Sequence, residues 1–397
     1  MKSNSSFCKK TAYAVLFLLV LGITGTTQLN AQPLFTIGNM YYQINADGVS
    51  VTLVGPVDIT EVAGELIIPS TISYDGNDYP VTRIGNSAFI SSGGLTGSLI
   101  IPNTVTYIGE NAFLACSGLT ELHLGNSLDT IGPAAFYGCK GLTGSLTIPN
   151  SVRVIETAAF YGCTGFDGSL TFGDGLKRIE KAAFYKCSGF TSLNISNAVT
   201  SIGTSAFWGC YGLSGSLTIP NSVTKIEPNA FRNCSGFTGT LTLGSGLDSI
   251  GGETFCNCSG FTEVISLATE PPVFSFEDVF MGCNCSKLTV PCGRIAAYEN
   301  SEWHDYFVTI IDDCNNVPEL DEEKATVYPN PTNGTLRIEA ENMESISIYN
   351  MLGEKLFEAS ASSQSFEYDF SPHETGVYIV RIQTENGTVT KQVLVDR

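Results

Sequence analysis

The residues best suited to chemistry in this chain are its cysteines, most of which recur at a nearly fixed interval. Eight of the 13 follow a phenylalanine by three positions, in stretches such as 133–142 (PAAFYGCKGL) and 181–190 (KAAFYKCSGF). Metal sites built from cysteine need clustered spacings such as two C-x-x-C pairs, and steps of 23–25 residues do not supply them. The spacing therefore predicts a structural cysteine ladder with no metal, formed by Cys116, Cys139, Cys163, Cys187, Cys210, Cys234, Cys258 and Cys283.

The ladder has two alternative chemical states, thiols or disulfides. If the repeats stack, equivalent residues lie about 4.8 Å apart, within the Cα separation of about 4.4–6.8 Å that a disulfide requires. In-register stacking makes the Cα–Cβ bonds parallel, however, and a bridge would pull the coils together unevenly. A buried free cysteine behaves as a small hydrophobe with a weak S–H donor. We favour the thiol ladder, with disulfides as the alternative.

Residues for catalysis are sparse elsewhere. The three histidines, His123, His304 and His373, fall in different parts of the chain. The sequence contains no G-x-S-x-G, H-E-x-x-H or Walker motif, and no G-x-G-x-x-G after a predicted strand. We therefore predict no catalytic residues, no cofactor and no enzymatic activity.

The interval of the cysteines belongs to a longer repeat, which must position every side chain within it. Nine phenylalanines from Phe89 to Phe280 are spaced by 23–25 residues, and the first copy carries Ser92 in place of the cysteine. Within one copy, 146–148 (LTI) alternates like a half-buried strand and Pro149 ends it. The stretch 155–163 is too short for a stable helix and predicts a 3₁₀ turn or irregular arc. Such a period predicts a solenoid of stacked coils.

These copies resemble the BspA-like leucine-rich repeats, which run roughly L-x-x-I-x-x-x-A-F-x-x-C-x-x-L-x-x-I-x-I-P. The resemblance covers residues 81–284 in nine copies, and the ninth is degenerate at 268–276 (ATEPPVFSF). It implies a leucine-rich repeat solenoid of short parallel β-strands joined by irregular or 3₁₀ arcs. It also implies a bacterial surface protein with a role in adhesion.

The N-terminus has the pattern of an export signal. Lys9 and Lys10 precede the ten-residue apolar run 12–21, which is too short to span a membrane, and no later segment is apolar enough. We predict a signal peptide over residues 1–31, cut between Ala31 and Gln32. The net charge of −19 would become −22 without its three lysines. An acidic chain without Lys/Arg clusters disfavours nucleic acid as a partner.

Three further segments frame the repeats. Residues 32–80 alternate in short runs and predict a β-rich N-terminal cap. Residues 285–316 predict a C-terminal cap with a short helix at 295–299 and aromatic cover from Trp303, Tyr306 and Phe307. Cys292 and Cys314 flank the segment that would close the solenoid, so we predict a disulfide between them. Residues 317–324 predict an acidic linker.

The last 73 residues, 325–397, contain strands separated by Asn-Gly and Pro-Asn turns, which suggest a small all-β sandwich. They resemble the type A C-terminal sorting domain of the type IX secretion system of Bacteroidetes. The resemblance implies recognition by the secretion machinery, passage through the outer membrane, and a product that is surface-attached or extracellular. The residues that carry it are Tyr328, Pro329, Asn330, Pro331, Gly334, 376–378 (GVY), Lys391 and Val393.

The strand alternation predicts which side chains point outward. If Leu146 and Ile148 are buried, Ser145 and Thr147 are exposed, and the same holds in neighbouring copies. Two explanations fit these rows of hydroxyls. Thr favours strands and Ser keeps the face soluble, or the rows form a broad binding face. The candidate face comprises Glu121, His123, Ser145, Thr147, Ser169, Thr171, Ser192, Asn194, Ser216, Thr218, Thr240 and Thr242.

A second candidate surface follows the phenylalanines by one position. Tyr137, Tyr161, Tyr185 and Trp208 would form an aromatic stripe, which could stack on sugars or pack on itself. The leading hypothesis is an adhesin that recognises a host matrix or cell-surface protein. The alternatives are a glycan-binding or structural envelope module, which would use the stripe, and an ice- or crystal-face binder, which would use the hydroxyl rows.

Overall fold

The structure is a computed structural model that describes residues 34–314, 325–350, 354–361, 364–385 and 387–396. The expected signal peptide, its cut between Ala31 and Gln32, and the expected acidic linker lie outside the described residues.

Residues 34–84 begin as an antiparallel meander and continue into the stack. Strand β3 pairs with β6 in parallel, so the solenoid starts within the expected N-terminal cap, and β6 crosses the expected boundary at residue 80. A 3₁₀ helix, Ile59–Glu61, precedes β4. The six strands are β1 (Leu34–Ile37), β2 (Met40–Ile44), β3 (Val51–Pro56), β4 (Gly64–Ile67), β5 (Thr71–Tyr74) and β6 (Asn77–Ile84).

One wall of the solenoid continues from β6 as a parallel sheet of two-residue strands. Ile155 lies in this sheet, paired with Ile131 and Ile179. The expectation that an arc begins at Ile155 was therefore wrong, because a two-residue strand is too short to leave an alternating pattern. These strands are β8 (Tyr107–Ile108), β10 (Thr130–Ile131), β12 (Val154–Ile155), β14 (Arg178–Ile179), β16 (Ser201–Ile202), β18 (Lys225–Ile226), β20 (Ser249–Ile250) and β22 (Val273–Phe274).

The opposite wall consists of longer parallel strands, including the predicted strand at Leu146–Ile148. It is divided into three sheets, ordered β4-β7-β9, β11-β13-β15 and β17-β19-β21-β23-β24. The predicted repeat fold of short parallel strands is confirmed. The strands are β7 (Leu95–Ile100), β9 (Leu119–His123), β11 (Leu146–Ile148), β13 (Ser169–Phe172), β15 (Ser192–Asn194), β17 (Gly215–Ile219), β19 (Phe237–Leu243), β21 (Glu263–Ser266), β23 (Lys287–Val290) and β24 (Thr309–Asp312).

The repeated phenylalanines form one column through the core. Rings of consecutive copies, from Phe89 to Phe280, stack with centroids 5.1–5.6 Å apart and planes within 13° of parallel. Offset stacking at this distance is favourable for aromatic pairs. Each ring is at most 4% exposed, so the column is the centre of the repeat core.

The arc around each phenylalanine is a turn that hydrogen-bonds to the next coil. In the copy of Phe160, Ala158 and Gly162 have φ of 57° and 68°, and the equivalent residues of all nine copies are also left-handed. This alternation points the N–H groups of Ala158, Phe160 and Gly162 at carbonyls of the following coil, 2.7–3.0 Å away. Hydrogen bonds between the arcs of consecutive coils thus form a third ladder, beside those of the two walls, and they offset the backbone strain at positive φ.

The cysteine ladder lies beside this arc and its eight thiols are free. Each Sγ donates a hydrogen bond of 2.9–3.2 Å to the phenylalanine carbonyl of the preceding coil. Cys163, for example, bonds to the Phe136 carbonyl at 3.0 Å. The same carbonyl accepts the Cys139 N–H of its own coil at 3.2 Å. A thiol here is small enough for the corner and satisfies a second acceptor site of a buried carbonyl.

The last coil is covered by the segment 291–314. Helix α1 (Ile295–Glu299) and a 3₁₀ helix (Glu302–Asp305) place Trp303 with its ring centroid 5.6 Å from that of Phe280. The Tyr306 hydroxyl accepts the N–H of Asp278 at 2.9 Å, in the place where a further coil would supply a carbonyl. The structure also joins Cys292 to Cys314, whose Cα atoms are 4.4 Å apart.

The C-terminal region forms two antiparallel sheets, ordered β25-β26-β29 and β28-β27-β30-β31, around one core that both sheets share. This confirms the expected all-β region. The Asn330 side chain bonds to the backbone of Gln392 and Leu394, at 2.7 and 2.9 Å. The strands are β25 (Ala325–Tyr328), β26 (Thr335–Ala340), β27 (Met343–Asn350), β28 (Lys355–Ser360), β29 (Ser365–Asp369), β30 (Gly376–Thr384) and β31 (Gly387–Val395).

A truncation in the phenylalanine column tests its contribution to stability. Phe184→Ala should lower the free energy of unfolding by about 3–5 kcal/mol, because it opens a cavity and removes three ring contacts. The control Phe276→Ala removes a ring that is 72% exposed and should have little effect. Urea denaturation followed by circular dichroism measures the free energy of unfolding of both variants. Equal decreases in the two variants would contradict a stabilising role for the phenylalanine column.

The buried thiols should resist alkylation. Burial raises the pKa of the Cys116 thiol to about 11, and that of the Cys210 and Cys258 thiols to about 12. Iodoacetamide at pH 8.5 should leave these three unlabelled in the folded chain and label them in urea, as read by mass spectrometry. Because the folded state holds these protons more tightly, their contribution to stability is complete below pH 9 and is lost as pH rises towards 12. Labelling in the folded chain at the unfolded rate would contradict the buried ladder.

Candidate functional site

The outward side chains of the long strands align in two rows that run along the solenoid. We call this surface the strand face. Strand pairing places Ser169 beside Ser192 in the first row, and Thr171 between Thr147 and Asn194 in the second. All twelve residues expected on this face are exposed or partly exposed. The structure therefore brings the twelve together on one wall, divided by the two breaks between its sheets.

Side chains of the first row largely serve the coil that follows them. The Ser145 and Ser216 hydroxyls accept the backbone N–H groups of Ser169 and Thr240, each at 3.0 Å. Glu121 accepts the Ser98 hydroxyl at 2.8 Å. These contacts give the first row a structural role, and the second row is better placed to meet a ligand.

Two apolar residues extend the second row and were missed by the sequence interpretation. Ile67 on β4 pairs with Ile100 on β7, which pairs with His123 on β9. Ile67 is 74% and Ile100 48% exposed, so they form an exposed apolar pair on an otherwise polar face. The alternation in 66–68 (LII) and 99–101 (LII) carried this signal, since its outer residues are buried and its middle residue must point outward.

A groove crosses the strand face between β15 and β17. Its volume is about 540 Å³. No backbone ladder joins these two strands in the part of the chain that the structure describes, although β15 pairs with β13 and β17 with β19. The groove is lined by Phe172, Asp174, Leu193, Asn194, Ile195, Ser196, Asn197, Ser216, Thr218 and Pro220.

The irregular repeat length accounts for the position of this break. The copy that contains β15 is one residue shorter in its strand segment, which reads 190–195 (FTSLNI) against 213–219 (LSGSLTI) in the next copy. Leu193 is consequently only half-buried, whereas its neighbours Leu170 and Leu217 are each 1% exposed. The other break, between β9 and β11, also lies where a shortened copy, in which 120–122 reads TEL, is followed by a full-length one, in which 143–146 reads TGSL.

The aromatic stripe packs on itself. The Tyr137 and Tyr161 rings are 4.5 Å apart, and those of Tyr161 and Tyr185 4.6 Å apart, with planes within 9° of parallel. Trp208 continues the stripe at 5.5 Å from Tyr185, and the Arg232 guanidinium lies 4.9 Å from the Trp208 ring. The ring faces of Tyr161, Tyr185 and Trp208 that a sugar would stack on are therefore occupied by neighbouring rings and by a cation.

The remaining polar groups offer little catalytic geometry. His123 lies 3.3 Å from Glu121 on the strand face, His304 is on the C-terminal cap, and His373 contacts the Tyr368 hydroxyl at 2.6 Å in the C-terminal region. Cys292, Asp312 and Cys314 are the one group of three ligand-type side chains close enough to hold a metal among the described residues. Two of them are joined in the disulfide, which leaves no thiolate for a metal.

Comparison with known families identifies the repeats. A family described as "BspA type Leucine rich repeat region" matches residues 82–214 and 177–301, with six copies, and so covers more than half of the chain. This chain belongs to the BspA-type leucine-rich repeat family. Repeat proteins of this kind are typically non-enzymatic binding modules.

The C-terminal region matches a second family, described as "Secretion system C-terminal sorting domain", over residues 326–396. The sorting domain directs export through the type IX secretion system to the cell surface or the extracellular space, and it implies contact with the secretion machinery. Within the described residues, no helix has the length and apolar character that membrane crossing would require.

Solved structures of leucine-rich repeat proteins are similar to parts of this chain. A leucine rich cell surface protein from Faecalibacterium prausnitzii A2-165 is 22% identical, with 72% of this chain and 96% of that chain covered, at a TM-score of 0.41. A leucine-rich repeat protein from Bacteroides ovatus ATCC 8483 is 21% identical, with 70% and 99% covered, at a TM-score of 0.31. No curated protein matches the chain.

Self-packing of the aromatic stripe can be tested through stability. Tyr161→Ala removes two stacked ring pairs and should lower the free energy of unfolding by about 1–3 kcal/mol. The control Tyr211→Ala removes a ring that is 49% exposed and should have a smaller effect. Urea denaturation compares the two. A stripe that exists only to bind ligand would show no loss at Tyr161.

Proposed function

We propose that this exported protein is a non-enzymatic adhesin whose strand face binds a protein ligand, either a host matrix protein or a cell-surface protein. The observation that supports this best is the second outward row. This row carries short polar side chains over several coils and ends in the exposed apolar pair of Ile67 and Ile100. The groove between β15 and β17 crosses it. Hydroxyls contribute little singly, so a broad ligand that contacts many coils fits this surface better than a small molecule.

Glycan binding through the aromatic stripe has less support, because the ring faces are occupied. A glycan ligand would need a site elsewhere on the protein. No catalytic role is proposed for any residue, since the histidines are dispersed and the strand face carries few titratable groups.

The experiment measures binding of the full chain to immobilised fibronectin, fibrinogen and collagen, and to a glycan array. The test variant carries Thr147→Lys, Thr171→Lys and Thr218→Lys, which place three long cations in the second row. The matched control carries Thr130→Lys, Ser201→Lys and Ser249→Lys at outward positions of the two-residue strands. Both variants change the net charge equally, so a difference between them reports location.

We expect saturable binding to one protein, at least tenfold weaker in the test variant and unchanged in the control variant. Equal loss in both variants would indicate a general charge effect and would contradict a site on the strand face. Binding to glycans without binding to any of the three proteins would replace the adhesin proposal with the glycan-binding alternative.

A further inference from the structure

The last coil of the repeat carries a second cysteine beside its ladder cysteine. Cys283 ends the ladder, and Cys285 follows it after a single residue. Counted from the ladder position, each of the eight earlier copies has a glycine there, because a Cβ would come within 1.9–2.4 Å of a carbonyl oxygen of the preceding coil. These glycines are Gly94, Gly118, Gly141, Gly165, Gly189, Gly212, Gly236 and Gly260. The ninth copy is therefore built differently at this corner.

A deletion explains how the last coil accommodates the second cysteine. Leu288 lies five positions after Cys283, whereas its strand partner Val264 lies six positions after the preceding ladder cysteine. Counted back from the paired strands, Cys285 consequently takes the inward position of Phe261. Cys285 is only 6% exposed and belongs to the core of the repeat region. The short copy thus turns a thiol inward at a position where the preceding coil has a ring.

This arrangement brings two free thiols together at an accessible loop. The Cys283 and Cys285 side chains lie within hydrogen-bonding reach of each other. Cys283 is partly exposed, whereas the other seven ladder thiols are buried. Gly282 and Asn284 are exposed, and the Asn284 side chain donates to the Ser259 carbonyl at 2.9 Å. That hydrogen bond holds the loop, and with it the pair of thiols, against the preceding coil.

The pair is more reactive than the rest of the ladder. Hydrogen bonding between the two thiols lowers the pKa of Cys285, whereas burial raises the pKa of the Cys258 thiol in the preceding coil to about 12. Because the thiolate is the nucleophile, Cys285 is the better attacking group. The Cys283 thiol bonds to the Phe255 carbonyl at 3.0 Å, and that carbonyl also accepts the Cys258 N–H at 3.0 Å. Oxidation of Cys283 therefore leaves the buried carbonyl with a donor.

We propose that Cys283 and Cys285 form a redox-active dithiol that reacts with disulfides and closes into an intrachain bridge. The Cys285 thiolate attacks one sulfur of a disulfide R–S–S–R, which releases R–S⁻ and leaves a mixed disulfide on Cys285. Cys283 then loses its proton and attacks the Cys285 sulfur, and the second R–S⁻ leaves. The two protons of the dithiol end on two R–SH molecules, so the protein pair is oxidised by two electrons and the disulfide is reduced by two.

The chain geometry and the export of the protein are compatible with such a bridge. Cα atoms two residues apart are separated by at most about 7 Å, and a disulfide accepts separations of about 4.4–6.8 Å. An exported chain encounters an oxidising environment in which disulfides form and persist. The bridge at Cys283 and Cys285 lies on an exposed loop, and exposed disulfides are the labile ones. We therefore expect it to open and close with the surrounding thiol–disulfide balance.

The test incubates the folded full chain with oxidised or reduced glutathione and then blocks the remaining thiols with N-ethylmaleimide in urea. Cleavage after Glu and Lys releases 278–287 (DVFMGCNCSK), whose cysteines are Cys283 and Cys285, and 254–263 (TFCNCSGFTE), whose cysteines are Cys256 and Cys258. After oxidised glutathione, mass spectrometry should find 278–287 without alkyl groups and lighter by two hydrogen atoms. After reduced glutathione it should be doubly alkylated. The peptide 254–263 is the internal control and should be doubly alkylated in both.

Two variants of the full chain locate the reaction. Cys285→Ala removes the attacking thiol and keeps a small apolar side chain in the core. It should abolish the bridge and slow the release of reduced glutathione by about tenfold or more, because the remaining thiols are buried. The matched control Cys256→Ala removes a buried thiol from the other C-x-C pair and should leave the bridge intact. Circular dichroism and urea denaturation check that both variants are folded.

Several results would overturn the inference. These are a doubly alkylated 278–287 after oxidised glutathione, a cross-link from either cysteine to Cys258, and glutathione release that is unchanged in Cys285→Ala. The bridge should also form faster in the folded chain than in urea, since the fold holds the thiols together, and equal rates would contradict a site made by the last coil. These measurements require no ligand of the strand face, so their outcome is independent of the adhesin proposal.

Discussion

The phenylalanine column imposes the constraint on which the rest of the repeat region depends. Rings that stack at 5.1–5.6 Å with nearly parallel planes require successive coils to superimpose closely. Once the rings are in register, the arcs, the thiols and the strands on either wall are brought to a hydrogen-bonding distance from their equivalents. A substitution in the column therefore affects the arcs, the thiols and both walls at once.

The backbone of the arc gives the stack a direction. Left-handed residues on both sides of each phenylalanine turn alternate N–H groups towards the next coil, and the carbonyls of the intervening residues towards the previous one. A stack with this polarity ends in unsatisfied donors at its last coil. The Tyr306 hydroxyl accepts one of these donors, and Trp303 and Phe307 cover the last ring of the column. The disulfide between Cys292 and Cys314 then holds the covering segment closed.

Irregularity in the repeat creates the features that distinguish one part of the surface from another. The core tolerates a copy that is one residue shorter, because the phenylalanine and the two-residue strand keep their register while the long strand absorbs the change. The change disrupts the strand face, where no backbone ladder joins β15 to β17 and the groove lies between them. The regular copies supply the rigid support, and the shortened copy that contains β15 supplies the groove.

The sequence by itself determined the repeat, its core and its export. Local steric requirements set the interval of Phe, Cys and Pro, and they are the same in each copy. A single chain therefore shows the same pattern nine times. The alternation around Leu146 likewise determined which side chains face outward. Only the tertiary structure decided the contacts between coils: Ile155 lies in a second parallel sheet, the stripe from Tyr137 to Trp208 packs on itself, and β15 separates from β17. These features depend on the distance and angle between coils, which no single copy specifies, because stacking geometry is a property of neighbouring copies packed together.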